Sequence, residues 1–364
     1  MYIPLAIVSN NKDKYSETFI HAQINHLPYF VHHLYGDHLP HFAQGKLLNH
    51  GRSFAPWLRR PEVRQSRAVA QYLQQHTIRL VLAQYGPAGV AMYPICQRLR
   101  LPLLVHFHGY DAYRDDVLHT HGRHYPALFA AATALIVVSE HMREQLLRLG
   151  APADKLHLIP YGIDTEAFQP GPARTGPCVI VSCGRFVAKK GPAVSLQAFA
   201  KVRASVPGAR LIMVGDGELL PACKQLAHRL GIAEAVEFRG VLTPAEVAQT
   251  LQAADIFIQP SLTSAAHDAE GTPLAILEAG ACGLPVAASY HGGIPQVVQA
   301  GETGLLVAEG DIDGLAQQLI FLAENDTIRK RMGTAARARI STYFTLDRYL
   351  ADLSQLIDQS LSTD

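Results

Sequence analysis

CVIVSCGRFVAKKGPAVSLQAFAKV, residues 178 to 202, decides how the chain is read. Its opening CVIVSC is apolar at successive positions, as a strand buried on both faces must be. GRFVAKKG then turns the chain, and GPAVSLQAFAKV continues with a helical pattern. A strand followed by a helix predicts a parallel sheet, because the next strand must return through the helix. The same alternation extends in both directions. PLAIV, LVLAQ, LLVHF and ALIVV precede this unit, and RLIMVG, AVEFRG, DIFIQP and PVAAS follow it. Amphipathic stretches lie between them, such as VSEHMREQLLRLG, where Ser139 is placed to cap the start and Gly150 the end.

The chain has 364 residues, enough for two α/β domains. QPGPARTGP, residues 169 to 177, breaks regular structure and is the natural boundary. It predicts domains at 1–170 and 171–344. The final TLDRYLADLSQLIDQSL adds a helix within 345–364. A hydrophobic share of 48% against 17% charged excludes a disordered chain. Net charge of +1 argues against a dedicated nucleic-acid binder. The five cysteines form no CxxC pair and predict reduced thiols in a cytoplasmic setting. MYIPLAIVSNNKDK reads as a first strand rather than a leader. No apolar run approaches the roughly 18 residues of a membrane span, so any membrane contact is expected to be peripheral. Histidines crowd the first third of the chain without regular ligand spacing, and no metal site is expected.

Four stretches carry chemistry. In HDAEGTPLAILEAGACGLP, residues 267 to 285, Thr272 is a candidate N-cap and Pro273 a first helical residue. The free N–H groups of that turn suit an anion, and Gly271 admits a ligand close to the backbone. Glu278 shares a helix face with Leu274, so its carboxylate needs either an internal partner or ligand hydroxyls. In VSCGRFVAKKG, Arg185 and Lys190 are either solvated loop cations or a pair that grips a diphosphate. In LLVHFHGYDAY, His108 comes off the end of a strand, while His106 lies within it. In YSETFIHAQINHL, Ser16, Glu17 and Thr18 open a helix, either as simple capping or as a second anion or hydroxyl site. Two lookalikes are set aside. MVGDGELL has Leu220 where a dinucleotide fingerprint needs its third glycine, and Asp311 and Asp313 in GDIDGL sit where a helix cap belongs.

Taken in order, SETFI, HGYD, GRFVAKKG, VGDGEL, EGTPLAILEAGACGLPV, GGIPQVV and GETGLLV resemble the retaining glycosyltransferases of family 4, over nearly the whole chain. Glu270 and Glu278 match that family's E-x7-E motif, and SETFI with DAEG looks most like its bacterial exopolysaccharide branch. The resemblance implies a GT-B fold: two facing Rossmann-like domains with parallel sheets, and a C-terminal helix that crosses back to the N-terminal domain. It implies a sugar nucleotide as donor, with UDP as the default base, and a saccharide or lipid-linked saccharide as acceptor. Arg185 and Lys190 would hold the diphosphate, along with backbone N–H groups of Gly271, Thr272 and Leu274, since Pro273 has none. Glu278 would bind the ribose, Glu270 the transferred sugar, and His108 would sit beside the sugar. Departing diphosphate charge would be met by the two cations without a metal ion, and the acceptor would attack on the leaving-group side. Two other readings stay open: a GT-B nucleotide-sugar epimerase, and a sugar-nucleotide-binding protein without catalysis. WLRRPEVRQSRAVAQYL, with Trp57, Arg59, Arg60, Arg64 and Arg67, is either a solvated helix face or a surface for an anionic membrane.

Overall fold

The computed structural model describes residues 2–15, 17–48 and 60–362. Ser16, Trp57 and Arg59 lie outside them. The chain divides into two compact units, Met1–Pro160 with Tyr349–Asp364, and Tyr161–Arg348. The proline- and glycine-rich tract 169–177 therefore lies inside the second unit.

In the first unit the described strands are β1 (Pro4–Ser9), β2 (Phe30–Tyr35), β3 (Phe42–Ala43), β4 (Lys46–Leu47), β5 (Leu80–Gln84), β6 (Leu103–His106), β7 (Ala134–Val137) and β8 (Leu156–Leu158). They form one sheet in the order β4-β3-β2-β1-β5-β6-β7-β8. All pairings are parallel except those made by the short β3, which runs antiparallel to β2 and β4. Every residue of β5, β6 and β7 is buried, as strands covered on both faces require. The order turns back between β1 and β5, so a crevice opens at their carboxyl ends. The helix Leu346–Leu361 packs into this unit from Tyr349 onward. Its buried Tyr349, Leu353, Leu356, Ile357 and Ser360 recur at helical spacing. Tyr29 on the first unit's sheet side donates to Asp358 at 2.7 Å and to the Ser354 carbonyl at 3.1 Å.

The second unit holds β9 (Val179–Cys183), β10 (Arg210–Val214), β11 (Val236–Gly240), β12 (Ile256–Gln259), β13 (Val286–Ser289) and β14 (Gly304–Val307), all parallel, in the order β11-β10-β9-β12-β13-β14. Here the switch falls between β9 and β12. The loop leaving β9 passes so close to the end of β12 that a Cβ on Gly191 would stand 2.1 Å from the Pro260 carbonyl oxygen. Gly191 also has φ +61°, a conformation only glycine adopts without strain. Pro192 then opens the helix Pro192–Ser205, which buries Leu196, Phe199 and Val202 against the sheet. Asp311 caps the helix Ile312–Glu324 by accepting from the Gly314 amide at 2.8 Å, the capping role its sequence position suggests.

Candidate active site

The switch point of the second unit collects most of the residues singled out by sequence. Lys190 ends a single 3-10 turn on the loop after β9, and its Nζ lies 3.0 Å from Glu270 Oε1 on the loop after β12. Their side chains are only 17% and 8% exposed, so this pair is largely withdrawn from water. Burial alone would push the Glu270 carboxyl up, but Lys190, Lys189 and His291 outweigh it and hold it at about 2. Arg185 and Lys190 line one shallow recess together with Gly184, Met213 and Gln259. Glu278 lies on the helix Leu274–Ala281, one turn beyond Leu274 on its partly exposed strip. Among the described residues it has no hydrogen-bonded or ion-paired side chain. Burial pushes its carboxyl up to about 7, and the nearby Lys190 only partly counters this. The site thus pairs one carboxylate that its cations hold ionised with one whose charge burial disfavours.

The local geometry differs from expectation at the helix start. Pro273, with φ −73° and ψ 116°, is the N-cap, and the helix begins at Leu274 rather than at Pro273. Thr272 is not the cap. Proline fixes φ without demanding a helical ψ, so the chain turns into the helix one residue later. The amides placed to face an anion are accordingly those of Leu274 and Ala275, since the Ile276 amide already donates to the Pro273 carbonyl at 3.1 Å. Sequence reasoning also passed over Lys189. Its ammonium is buried and reaches Asp268 Oδ1 at 3.0 Å and the Ala269 carbonyl at 3.2 Å, which pins the segment leading into Glu270. Adjacent lysines give no hint of which one turns inward.

The first unit has its own cluster at the β1–β5 crevice. His108 Nε2 lies 2.9 Å from Gln84 Oε1, Gln84 Nε2 donates to Gln23 Oε1 at 2.6 Å, and Gln23 Nε2 donates to Tyr349 on the C-terminal helix. Phe19 and Tyr85 pack on the His108 ring with centroids 4.5 Å away. Burial, and then His106, hold the His108 imidazole well below its ordinary range. It is therefore a neutral hydrogen-bonding group at physiological pH. His106 closes β6 and is fully buried, as its place in the strand predicts. Glu17 is the N-cap of the helix Thr18–His26, but its buried carboxylate turns inward and accepts from Tyr85 Oη and Lys14 Nζ, each at 3.1 Å. Thr18 is exposed.

Asp111 of HGYD was given no role from sequence, yet it builds this corner. Its carboxylate accepts from the amides of Gly86, His108 and Gly109 at 2.9, 3.0 and 2.9 Å. It thereby ties the loop after β5 to the loop after β6. Tyr85, held between them, has φ 74°, a strained value for a non-glycine residue of the kind found at functional sites. Among the described residues no group of three or more His, Cys, Asp or Glu side chains is arranged to hold a metal ion.

Comparison with known proteins meets this geometry. The family model described as Glycosyl transferases group 1 matches residues 164–339, and that described as Glycosyltransferase Family 4 matches residues 25–167. The amylovoran biosynthesis glycosyltransferase AmsK of Erwinia amylovora is 32% identical over 255 residues, covering 70% of this chain and 63% of its own length. A protein named for colanic acid biosynthesis, the glycosyltransferase WcaL of Escherichia coli K12, is 31% identical over 288 residues, covering 76% and 70%. This chain thus spans roughly two thirds of the length of these relatives. Among solved structures, Anabaena Alr3699/HepE in complex with UDP-glucose matches with a TM-score of 0.78 at 21% identity, covering both chains fully. On these grounds the chain belongs to the group 1 glycosyltransferases of family 4 and has the GT-B fold of two parallel-sheet α/β domains.

Proposed function

We propose that this protein transfers a hexose-type sugar, with retention, from a nucleoside diphosphate sugar to a hydroxyl of a saccharide or lipid-linked saccharide, in the assembly of a bacterial polysaccharide or glycolipid. One observation carries the reading. Two cations, Arg185 and Lys190, and a carboxylate paired with Lys190 at 3.0 Å share the switch point of the second sheet, where ligands of such sheets bind. In this reading Arg185, Lys190 and the amides opening the helix at Leu274 hold the diphosphate. They meet the charge that grows on it as the sugar departs, without a metal ion. Glu278 takes the ribose hydroxyls and Glu270 the hydroxyls of the sugar. His108 acts as a neutral group beside the sugar. The acceptor hydroxyl passes its proton to the departing phosphate oxygen, so no separate base is required. The relatives named for amylovoran and colanic acid biosynthesis support the polymer context, and the UDP-glucose complex of HepE supports a sugar nucleotide.

A thermal-shift panel of UDP-, GDP- and ADP-sugars tests the donor. One nucleobase series is expected to raise the melting temperature, since a ligand at a hundred times its Kd adds about 2.7 kcal/mol. UDP-sugars are the expected series. A flat response across the panel would remove the reading.

We further propose peripheral contact with an anionic membrane on its cytoplasmic face. Arg60, Arg64 and Arg67 are exposed at one-turn intervals along the helix Pro61–Gln75 and its cap, opposite the buried Val69 and Leu73. No helix of the described residues is long and apolar enough to cross a membrane. Vesicles containing anionic phospholipid should float with the wild type. Reversing all three arginines to glutamate should weaken binding at least about a hundredfold, at about 1 kcal/mol for each charge removed. Equal flotation of both proteins would end the proposal.

A further inference from the structure

Glu270 is held from a side that the donor reading does not use. His291 follows β13 and is buried, and its Nε2 lies 3.0 Å from the backbone amide of Glu270. Its Nδ1 lies 2.6 Å from Oε1 of Glu309, which follows the neighbouring strand β14. The other oxygen of Glu309 accepts from the Thr263 amide at 2.7 Å, near the start of the loop that carries Glu270. Gly292 comes so close that a Cβ there would stand 2.4 Å from the Glu270 carbonyl oxygen, and the Gly293 amide donates to the Gly271 carbonyl at 2.9 Å. The carboxyl ends of β12, β13 and β14 are thus joined through one imidazole.

The chemistry of the partners fixes the proton. A backbone amide can only donate and a carboxylate can only accept. The ring must therefore carry its hydrogen on Nδ1 and present a lone pair at Nε2. A second proton would go onto Nε2 and meet the Glu270 N–H head on. We propose that His291, oriented by Glu309, is a positioning residue for Glu270, and that the donor site keeps its shape only while His291 is neutral. This rests on the donor site assigned above. The charges around the ring are those of Glu309 and Glu270, which favour its cation, and of Lys190 and Lys189, which oppose it; Lys189 is largely offset by Asp268. Placing a second proton on the ring should therefore weaken donor affinity.

The first measurement needs no ligand. In protein carrying 15N-labelled histidine, NMR is expected to show His291 protonated at Nδ1, with the Glu270 amide shift titrating together with the ring. Hydrogen on Nε2, or an indifferent amide, overturns the proposal. The second measurement is calorimetric titration with UDP-glucose and GDP-mannose between about pH 5.5 and 8, the range in which histidine ordinarily titrates. His291→Ala should bind the donor about tenfold more weakly than the wild type at pH 8, the loss expected when a buried amide is left unsatisfied, and the gap should close toward low pH because the variant has no acid limb. His291→Gln, whose amide oxygen can take the Nε2 position, should recover much of that loss and show no acid limb. Glu309→Gln removes a charge that favours the imidazolium, so its acid limb should move to lower pH. A limb that stays in place, or full affinity in His291→Ala, overturns the positioning role. Failure of the wild type to bind any sugar nucleotide would instead sink the proposed function, and the NMR result would then decide on His291 alone.

Discussion

Glu278→Gln is expected to make the ligand-free protein more stable at pH 8 while weakening its affinity for a nucleoside diphosphate about tenfold to a hundredfold. The Glu278 carboxyl sits at about 7, above its ordinary 4.5, because burial disfavours its charge and Lys190 only partly offsets this. A group whose folded value is raised binds protons more tightly when folded. Its favourable contribution is complete below about pH 4.5 and is lost as pH rises through 7. Allowing for the partial exposure of this side chain, the deficit at pH 8 is about 2 kcal/mol. Glutamine removes the charge and with it the deficit, so the melting temperature should rise by about 5 °C at pH 8. Near pH 4 wild type and variant should melt together, the carboxyl then being neutral in both folded and unfolded chains. On the proposed assignment, ribose hydroxyls bonded to the carboxylate are charge-assisted, and losing them should weaken binding about tenfold to a hundredfold. A fall in stability at pH 8 would mean that Glu278 has an internal partner. A stabilised variant with intact affinity would separate Glu278 from the ribose.

The fold was legible wherever burial on both faces wrote itself as an apolar run. PLAIV, LVLAQ, LLVHF and ALIVV became β1, β5, β6 and β7, and CVIVSC through PVAAS became β9 to β13. β2 was not read as a strand because FVHHLY carries two histidines, of which His33 is buried against Ser9 and His32 against Tyr72. Hydropathy cannot see a polar side chain whose partner comes from another element. The same blindness explains the site. Arg185 and Lys190 were singled out at a strand end, Glu278 as a carboxylate in an apolar helix, and Glu270 through the resemblance. Lys189, Asp111, His291 and Glu309 act by bonding distant backbone, and no spacing along the chain encodes that. Thr272 was misjudged by a single residue, since Pro273 is compatible both with a first helical turn and with the extended residue before it.

Lys190→Met should lower turnover about a hundredfold to a thousandfold with every donor, the range seen when one preorganised group facing transition-state charge is removed. It should also destabilise the protein, and the two losses can be separated. In the wild type, burial would raise the Glu270 carboxyl, but Lys190 leads the charges that bring it down to about 2. A depressed value contributes stability above the ordinary carboxyl range, and that contribution is lost only as pH falls through about 2. Without Lys190, burial prevails and the sign reverses. Glu270 then costs stability at pH 8 and regains it as pH falls, with a penalty of about 3 kcal/mol for a buried charge stripped of its partner. Glu270→Gln in the same chain removes that charge. The double variant should therefore recover most of the melting temperature and none of the turnover, because the diphosphate still lacks its cation. Glu270→Gln alone should reduce turnover by a factor that depends on the sugar if, as proposed, its carboxylate meets the sugar hydroxyls and not the phosphates. Recovery of turnover in the double variant would show that Lys190 acts only by neutralising Glu270, and the diphosphate would then need another partner.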